Sequence, residues 1–209
     1  MLGSALPLTA EVPALGTLLA ASPMKTLGIA LAAAVIAYFC GCLNGAILTS
    51  KLFYHEDVRH HGSGNAGLTN FFRTFGGPLT FVVILCDVLK AVVALLVSQW
   101  LMFSGYTIFI SAASTTAFWD TFAKYWAGLF CLLGHMFPCM FQFKGGKGIL
   151  SGGTIAIMID WRIAVVVWGG FLILTALTRY VSLGSLWAGA SFPFISWYCY
   201  PQTPIVVLA

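Results

Sequence analysis

Six apolar runs divide the sequence, and they constrain the fold more than any motif does. Residues 27–50, 79–103 and 122–141 are each long enough to cross a bilayer, which takes about 20 apolar residues in a helix. Residues 163–178 and 183–200 are slightly shorter, and Ile149–Ile159 is about half a span. Only 8% of the 209 residues are charged, against about 25% in a typical soluble domain. Such a chain cannot cover a water-facing surface. Inside lipid each backbone polar group must be satisfied within its own segment, so the runs predict helices rather than open strands. The expected fold is an all-α integral membrane bundle of about six helices, one of them a half-helix after a Gly-rich loop. Residues 106–119 are apolar but rich in Ser and Thr, and read as a short re-entrant or interfacial helix. Residues 1–26 carry Pro7, Pro13 and Pro23 and no base before Lys25. They lack the basic start of a secretory signal and are expected to be an irregular extension. Residues 27–209 are then a single polytopic membrane domain.

The bases between the runs set an orientation. With the amino terminus outside, the cytoplasmic segments hold Lys51, Arg59, Arg73, Lys144, Lys147 and Arg179. The opposite side holds Lys25, Lys124 and Arg162, so the positive-inside rule favours this arrangement. It brings three polar, Gly-rich stretches to one face: residues 62–73, 144–148 and 179–185. The net charge of +4 is dispersed, with no basic run, so no nucleic-acid partner is expected. The six cysteines lie mostly in apolar runs and read as small hydrophobes. No Cys/His cluster suggests a metal, and no cofactor is implied.

The first stretch combines Gly62, Gly64 and Gly67 with Ser63, Asn65, Thr69, Asn70 and Arg73. Glycines permit close backbone approach, and the Arg fork suits phosphate oxygens. A polar turn with a helix cap is the plainer reading. The second stretch is Lys144, Gly145, Gly146, Lys147 and Gly148, followed by a helix-like run containing Ser151. A Gly-rich turn entering a helix can present backbone N–H groups to an anion. The Walker A spacing fails, because Gly148 stands where Ser or Thr is required. Lysines reaching for the membrane edge are the plainer alternative here. The third stretch carries Arg179, with Ser182 and Ser185 three apart on one helix face. Within the membrane, Asp87 and Lys90 at i and i+3 can neutralise one another and brace a neighbouring helix. His135, in the segment Gly134–Pro138, reads as a packing or second-layer residue. No Ser–His–Asp set and no acidic pair is apparent.

Together these segments resemble the bacterial acyl-phosphate:glycerol-3-phosphate acyltransferases, the PlsY family. The matching residues are Gly62 to Asn65 with Gly67, Thr69, Asn70 and Arg73; Asp87 with Lys90; Gly134, His135 and Pro138; Phe143 to Gly148; and Arg179 to Leu183 with Ser185. The resemblance implies a multi-helix enzyme of the bacterial inner membrane with its site facing the cytoplasm. It would move a fatty acyl group from acyl-phosphate to the 1-hydroxyl of glycerol 3-phosphate, giving lysophosphatidic acid and phosphate. Ser63, Asn65, Arg73 and Ser185 are then the expected catalytic residues. Gly64, Thr69, Asn70, Lys144, Gly145, Gly146, Lys147, Gly148, Ser151, Arg179 and Ser182 are the expected phosphate- and substrate-binding residues. Asn44 stands where the family often has Pro, and Leu68, Ala91 and Leu150 replace smaller residues. The family has seven helices and a basic tail, so this sequence reads as truncated at its carboxyl end. A rival reading is a transporter or binding protein for a phosphorylated small solute, which would hold its site near mid-membrane.

Overall fold

The structure is a computed structural model and describes residues 23–106 and 113–200. All regular structure among the described residues is helical. In chain order the α-helices are α1 (Pro23–Cys42), α2 (Gly45–Thr49), α3 (Leu68–Thr74), α4 (Leu79–Tyr106), α5 (Ala113–Met136), α6 (Ile149–Ile159), α7 (Trp161–Thr178) and α8 (Val181–Cys199). Among the described residues, three helical segments are long and apolar enough to cross a membrane: Met24–Cys42, Leu79–Ser104 and Trp161–Thr178. Helices α5 and α8 are of similar length but more polar, with an Asp120–Lys124 pair in α5 and Pro193 inside α8.

Local chemistry corrects three of the expected boundaries. The first run does not continue to Ser50. It breaks at Leu43, where the buried Asn44 caps α2 by accepting a hydrogen bond from the Ile47 N–H at 3.0 Å. The Asn44 amide also donates to the Ala66 carbonyl at 3.0 Å, which ties this break to the first polar stretch. The third helix starts earlier and ends sooner than the run 122–141. It begins at Ala113 and stops at Met136, because Pro138 cannot continue it. The separate helix expected over residues 106–119 is not formed by its described part: Tyr106 ends α4 and the residues from Ala113 open α5, while residues 107–112 lie outside the described residues. Of the expected irregular extension, residues 1–22 also lie outside them, and the chain is already helical from Pro23.

The bundle is held by small residues and by outward apolar faces. On α1, Leu27, Leu31, Val35 and Phe39 recur every four residues on an exposed stripe, the pattern of a lipid-facing helix. Its other face meets α5 backbone to backbone. A Cβ on Gly41 would lie 2.1 Å from the Cys131 carbonyl oxygen, and one on Gly134 would lie 2.1 Å from that of Tyr38. The Trp126 indole donates to the Ala30 carbonyl at 2.8 Å and reinforces this seam. The main core joins Ala91, Ala94 and Leu95 of α4 to Ala127 and Cys131 of α5 and Ile155 and Ala156 of α6. At the far end of α6, Asp160 caps α7 through the Arg162 N–H at 2.8 Å and pairs with the Arg162 guanidinium at 2.6 Å. Helices α7 and α8 then turn about Arg179 and Tyr180 and pack side by side.

Candidate active site

The three polar stretches meet at one end of the bundle around a cavity of about 400 Å³. Ser63, Asn65, Thr69, Asn70 and Arg73 line it from the first stretch. Lys147 and Gly148 line it from the second, and Ser182 and Ser185 from α8. Asp87 and His135 reach it from α4 and α5. Helices α5 and α7 end here while α6 and α8 begin, so the cavity sits at the bundle's rim rather than at its middle.

The first wall is shaped by Asn70. This buried amide accepts from the Ser63 N–H at 2.9 Å and donates to the carbonyls of Val58 and His61, both at 3.0 Å. Its hydrogen-bonding capacity is largely spent on the loop, so Asn70 holds Ser63 in place. Gly62 has a φ of 56° and a Cβ there would fall 2.4 Å from the Asn70 Oδ1, so both conformation and space demand glycine. Arg73, one turn further along α3, is exposed and lines the cavity.

The second wall departs from the expected anion cradle. The Gly145 N–H donates to the Met136 carbonyl at 3.0 Å, and the Gly146 N–H donates to that of His135 at 3.2 Å. Neither is free for a phosphate. Their glycine identity has a packing cause: a Cβ would lie 1.9 Å from the His135 carbonyl oxygen at Gly145 and 2.4 Å from that of Ala66 at Gly146. Gly148, with a φ of 72°, turns the chain into α6, whose first-turn N–H groups open beside Lys147. The Lys147 ammonium donates to the Ser182 hydroxyl at 3.3 Å and so bridges the second and third stretches. Ser151 turns away from the cavity: it is fully buried and donates to the Asp87 carbonyl at 3.1 Å. Gly64, Lys144 and Arg179 are exposed and lie outside the cavity lining. The Ser185 hydroxyl donates to the Val181 carbonyl one turn back, at 2.8 Å, while facing the cavity.

Behind the cavity lies a buried cluster. Lys90 pairs with Asp87 at 2.7 Å and donates to the Leu43 carbonyl at 3.1 Å, and its ammonium also meets the His135 Nδ1. Asp87 in turn accepts from the Gly45 N–H at 3.2 Å. A salt bridge this deep is kept by saturating its hydrogen bonds.

Sequence reasoning passed over Arg59. It chelates Asp57 at 2.6 Å and 2.9 Å, and its Nη1 donates to the carbonyls of Phe141 and Lys144 at 2.8 Å and 3.0 Å. The first and second walls are thereby clamped together. Hydrogen bonds from the Arg59 side chain hold the Asp57 carboxyl well below the usual carboxylate range, against the opposing pull of burial. The only trace in the sequence is two opposite charges two residues apart in a chain that has few.

An apolar groove of about 570 Å³ runs on from the cavity between α5, α6, α7 and α8. Lys147, Gly148, Ser182 and Ser185 belong to both spaces, so the polar end opens directly into the apolar one. Leu129, Leu132, Ile155 and Phe192 are among its walls.

The model of the family described as Glycerol-3-phosphate acyltransferase matches residues 31–209. A glycerol-3-phosphate acyltransferase of Erwinia tasmaniensis is 34% identical over 183 residues, which cover 86% of this chain and 81% of that protein. One of Photorhabdus laumondii is 33% identical over 174 residues, covering 83% and 72%. The fold is similar to the crystal structure of PlsY (YgiH), an integral membrane glycerol 3-phosphate acyltransferase, in its glycerol 3-phosphate form, with a TM-score of 0.67 and 29% identity over 86% of this chain and 82% of that one. The lysophosphatidic acid form gives a TM-score of 0.64 at 28% identity with the same coverage. With its polar cavity opening into an apolar groove inside a membrane bundle, the chain belongs to the glycerol-3-phosphate acyltransferase family.

Proposed function

We propose that this protein transfers a fatty acyl group from acyl-phosphate to the 1-hydroxyl of glycerol 3-phosphate, releasing lysophosphatidic acid and phosphate. The observation that carries the reading is the continuity of the two spaces. A cationic cavity fits two phosphate-bearing substrates, and an apolar groove fits the chain that one of them carries. Arg73, Lys147 and the first-turn N–H groups of α6 are the phosphate ligands in this reading. Ser63, Asn65 and Ser185 orient the hydroxyl and the acyl carbonyl, with Thr69 and Ser182 at their sides. Asn70, Gly145, Gly146 and Ser151 serve by holding the walls. Lys144 and Arg179, exposed at the same end, attract anions from solution.

Acyl-phosphate is an activated mixed anhydride, so positioning and charge stabilisation are the main demands on the protein. The glycerol hydroxyl attacks directly, and a phosphate oxygen of the donor takes its proton. The positive-inside count supports a cavity on the cytoplasmic side with the amino terminus outside, and the likeness to bacterial relatives supports the inner membrane as its place. Transport of a phosphorylated solute would call for a site near mid-membrane. A cavity at the bundle's rim, in a chain of an acyltransferase family, argues against it.

The test is an assay of the protein in membranes with acyl-phosphate and labelled glycerol 3-phosphate. Labelled lysophosphatidic acid is the expected product. Its absence with acyl-phosphate, or its formation only from a thioester donor, would overturn the donor assignment. A stable acyl-Ser63 adduct detected by mass spectrometry would overturn direct attack.

A further inference from the structure

We infer that His135 donates a hydrogen bond from Nε2 to the acyl carbonyl oxygen, as a neutral donor whose tautomer is set by Lys90 and Asp87. The inference rests on the acyl-transfer reading above and adds a catalytic group to it.

Proton counting carries the first step. The Lys90 ammonium has three N–H groups and three acceptors: Asp87 Oδ1 at 2.7 Å, the Leu43 carbonyl at 3.1 Å and His135 Nδ1. With Asp87 ionised in the pair, Nδ1 is left as an acceptor. The imidazole proton then belongs on Nε2. Asp87 is itself held by the Gly45 N–H at 3.2 Å, so the whole relay is anchored to the break between α1 and α2.

Geometry carries the second step. His135 is 2% exposed and lines the cavity, and among the described residues none accepts a hydrogen bond from its Nε2. A donor with no protein acceptor at a cavity wall is available to a ligand that fills the cavity. Gly146 packs beside that nitrogen, where a Cβ would lie 2.5 Å from Nε2 and displace the ring from its place. His135 also sits on α5 between Leu132 and Met136, which both line the apolar groove. It therefore stands where an acyl chain leaves the groove and its carbonyl enters the polar cavity. Arg73 and Lys147 supply the charge for phosphates, and a neutral donor is left for the carbonyl.

In the transfer step the glycerol hydroxyl oxygen bonds to the carbonyl carbon, and the carbonyl π pair moves onto its oxygen. The His135 Nε2–H stabilises that oxyanion without giving up its proton. The pair then re-forms the C=O bond, the C–O bond to phosphate breaks with its electrons, and the hydroxyl proton leaves on the phosphate. Asp87 and Lys90 are positioning residues in this scheme, because they act only through the ring.

The test compares His135→Leu and His135→Gln in the full chain with acyl-phosphate and labelled glycerol 3-phosphate. His135→Leu is expected to lower kcat by roughly 10²–10³-fold, the usual loss for an oxyanion donor, with KM for glycerol 3-phosphate nearly unchanged. His135→Gln can accept from Lys90 and donate from its amide, and should recover part of kcat. In protein labelled with ¹⁵N-histidine, the resonance lost in His135→Gln should show a protonated Nε2 and a bare Nδ1, and should shift when acyl-phosphate is added. Unaltered kcat in His135→Leu, equal losses in both variants, or a protonated Nδ1 would each overturn the inference while leaving the enzyme's activity standing. An inactive wild-type protein would instead overturn the acyl-transfer reading and this inference with it.

Discussion

At the scale of single residues, the site separates groups that meet substrate from groups that hold the frame. Lys147 and Gly146 are neighbours in sequence and make the contrast testable. The Lys147 side chain is exposed, and among the described residues its hydrogen-bond partner is Ser182, at 3.3 Å. Lys147→Met should therefore leave melting behaviour in detergent unchanged while kcat/KM falls at least tenfold, since a charge-assisted hydrogen bond contributes about 1.5–3 kcal/mol. Retained activity would remove Lys147 from the phosphate site. Gly146→Ala should behave differently. Its Cβ would press on the Ala66 carbonyl oxygen at 2.4 Å and on His135, and neither a backbone carbonyl nor a buried ring yields cheaply. A lower melting temperature and a lower activity are expected together. Melting curves on both variants check the pair. This is also where sequence reading reached its limit. Ser63, Asn65, Arg73 and Lys147 stood out because polar groups are rare in this chain. For Gly145 and Gly146, a motif does not reveal that the carbonyls of Met136 and His135 take their N–H groups.

At the scale of elements, hydropathy located the helices but not their breaks. Cys42, Leu43 and Gly45 to Leu48 are as apolar as the helix before them, and only Asn44 marks the cap, so the run looks continuous to residue 50. Pro138 was a visible stop for α5, yet the apolar residues beyond it hid the boundary. The placement of α6 followed more directly from its glycine-rich approach and its eleven apolar-rich residues. It matters to function as a wall, because α6 lines the groove from Ile149 to Ile159 opposite α5, α7 and α8. Gly189 of α8 lines that groove, and a Cβ there would meet nothing within 4 Å. It lies seven residues beyond Ser182, roughly 10 Å along the helix at 1.5 Å per residue. Gly189→Leu should fill the groove at that depth without disturbing the fold. Transfer from long-chain acyl-phosphates should drop several-fold relative to short-chain ones, with KM for glycerol 3-phosphate unchanged. A donor-length series on the variant and the parent reads this out. An unchanged profile would mean that the acyl chain does not lie along α8.

At the scale of the whole molecule, the site depends on segments far apart in sequence being held at one rim of the bundle. Apolar packing fixes the helices, but the rim is largely loop and has only a small core of its own, around Ile47, Val58, Ala66 and Phe71. Arg59 supplies the remaining tie, with Asp57 holding it from one side and the carbonyls of Phe141 and Lys144 from the other. Lys51 adds a second cation to Asp57 at 3.3 Å. Because the Asp57 carboxyl titrates below its ordinary value in the folded protein, its contribution is fully present above the unfolded value of about 3.9 and is lost as pH falls through the folded one. Between pH 5 and pH 8 the clamp should be indifferent to pH. Below about pH 4 the wild-type melting temperature should fall with a component that Asp57→Asn lacks. At neutral pH, Asp57→Asn should melt lower than the parent and transfer more slowly, because Arg59 loses the partner that aims it at the second wall. Melting curves in detergent from pH 7 down to pH 3, run on both proteins, measure the difference. Parallel curves would mean that the two walls are held by packing alone, and that Arg59 only decorates a rim already fixed by the helices.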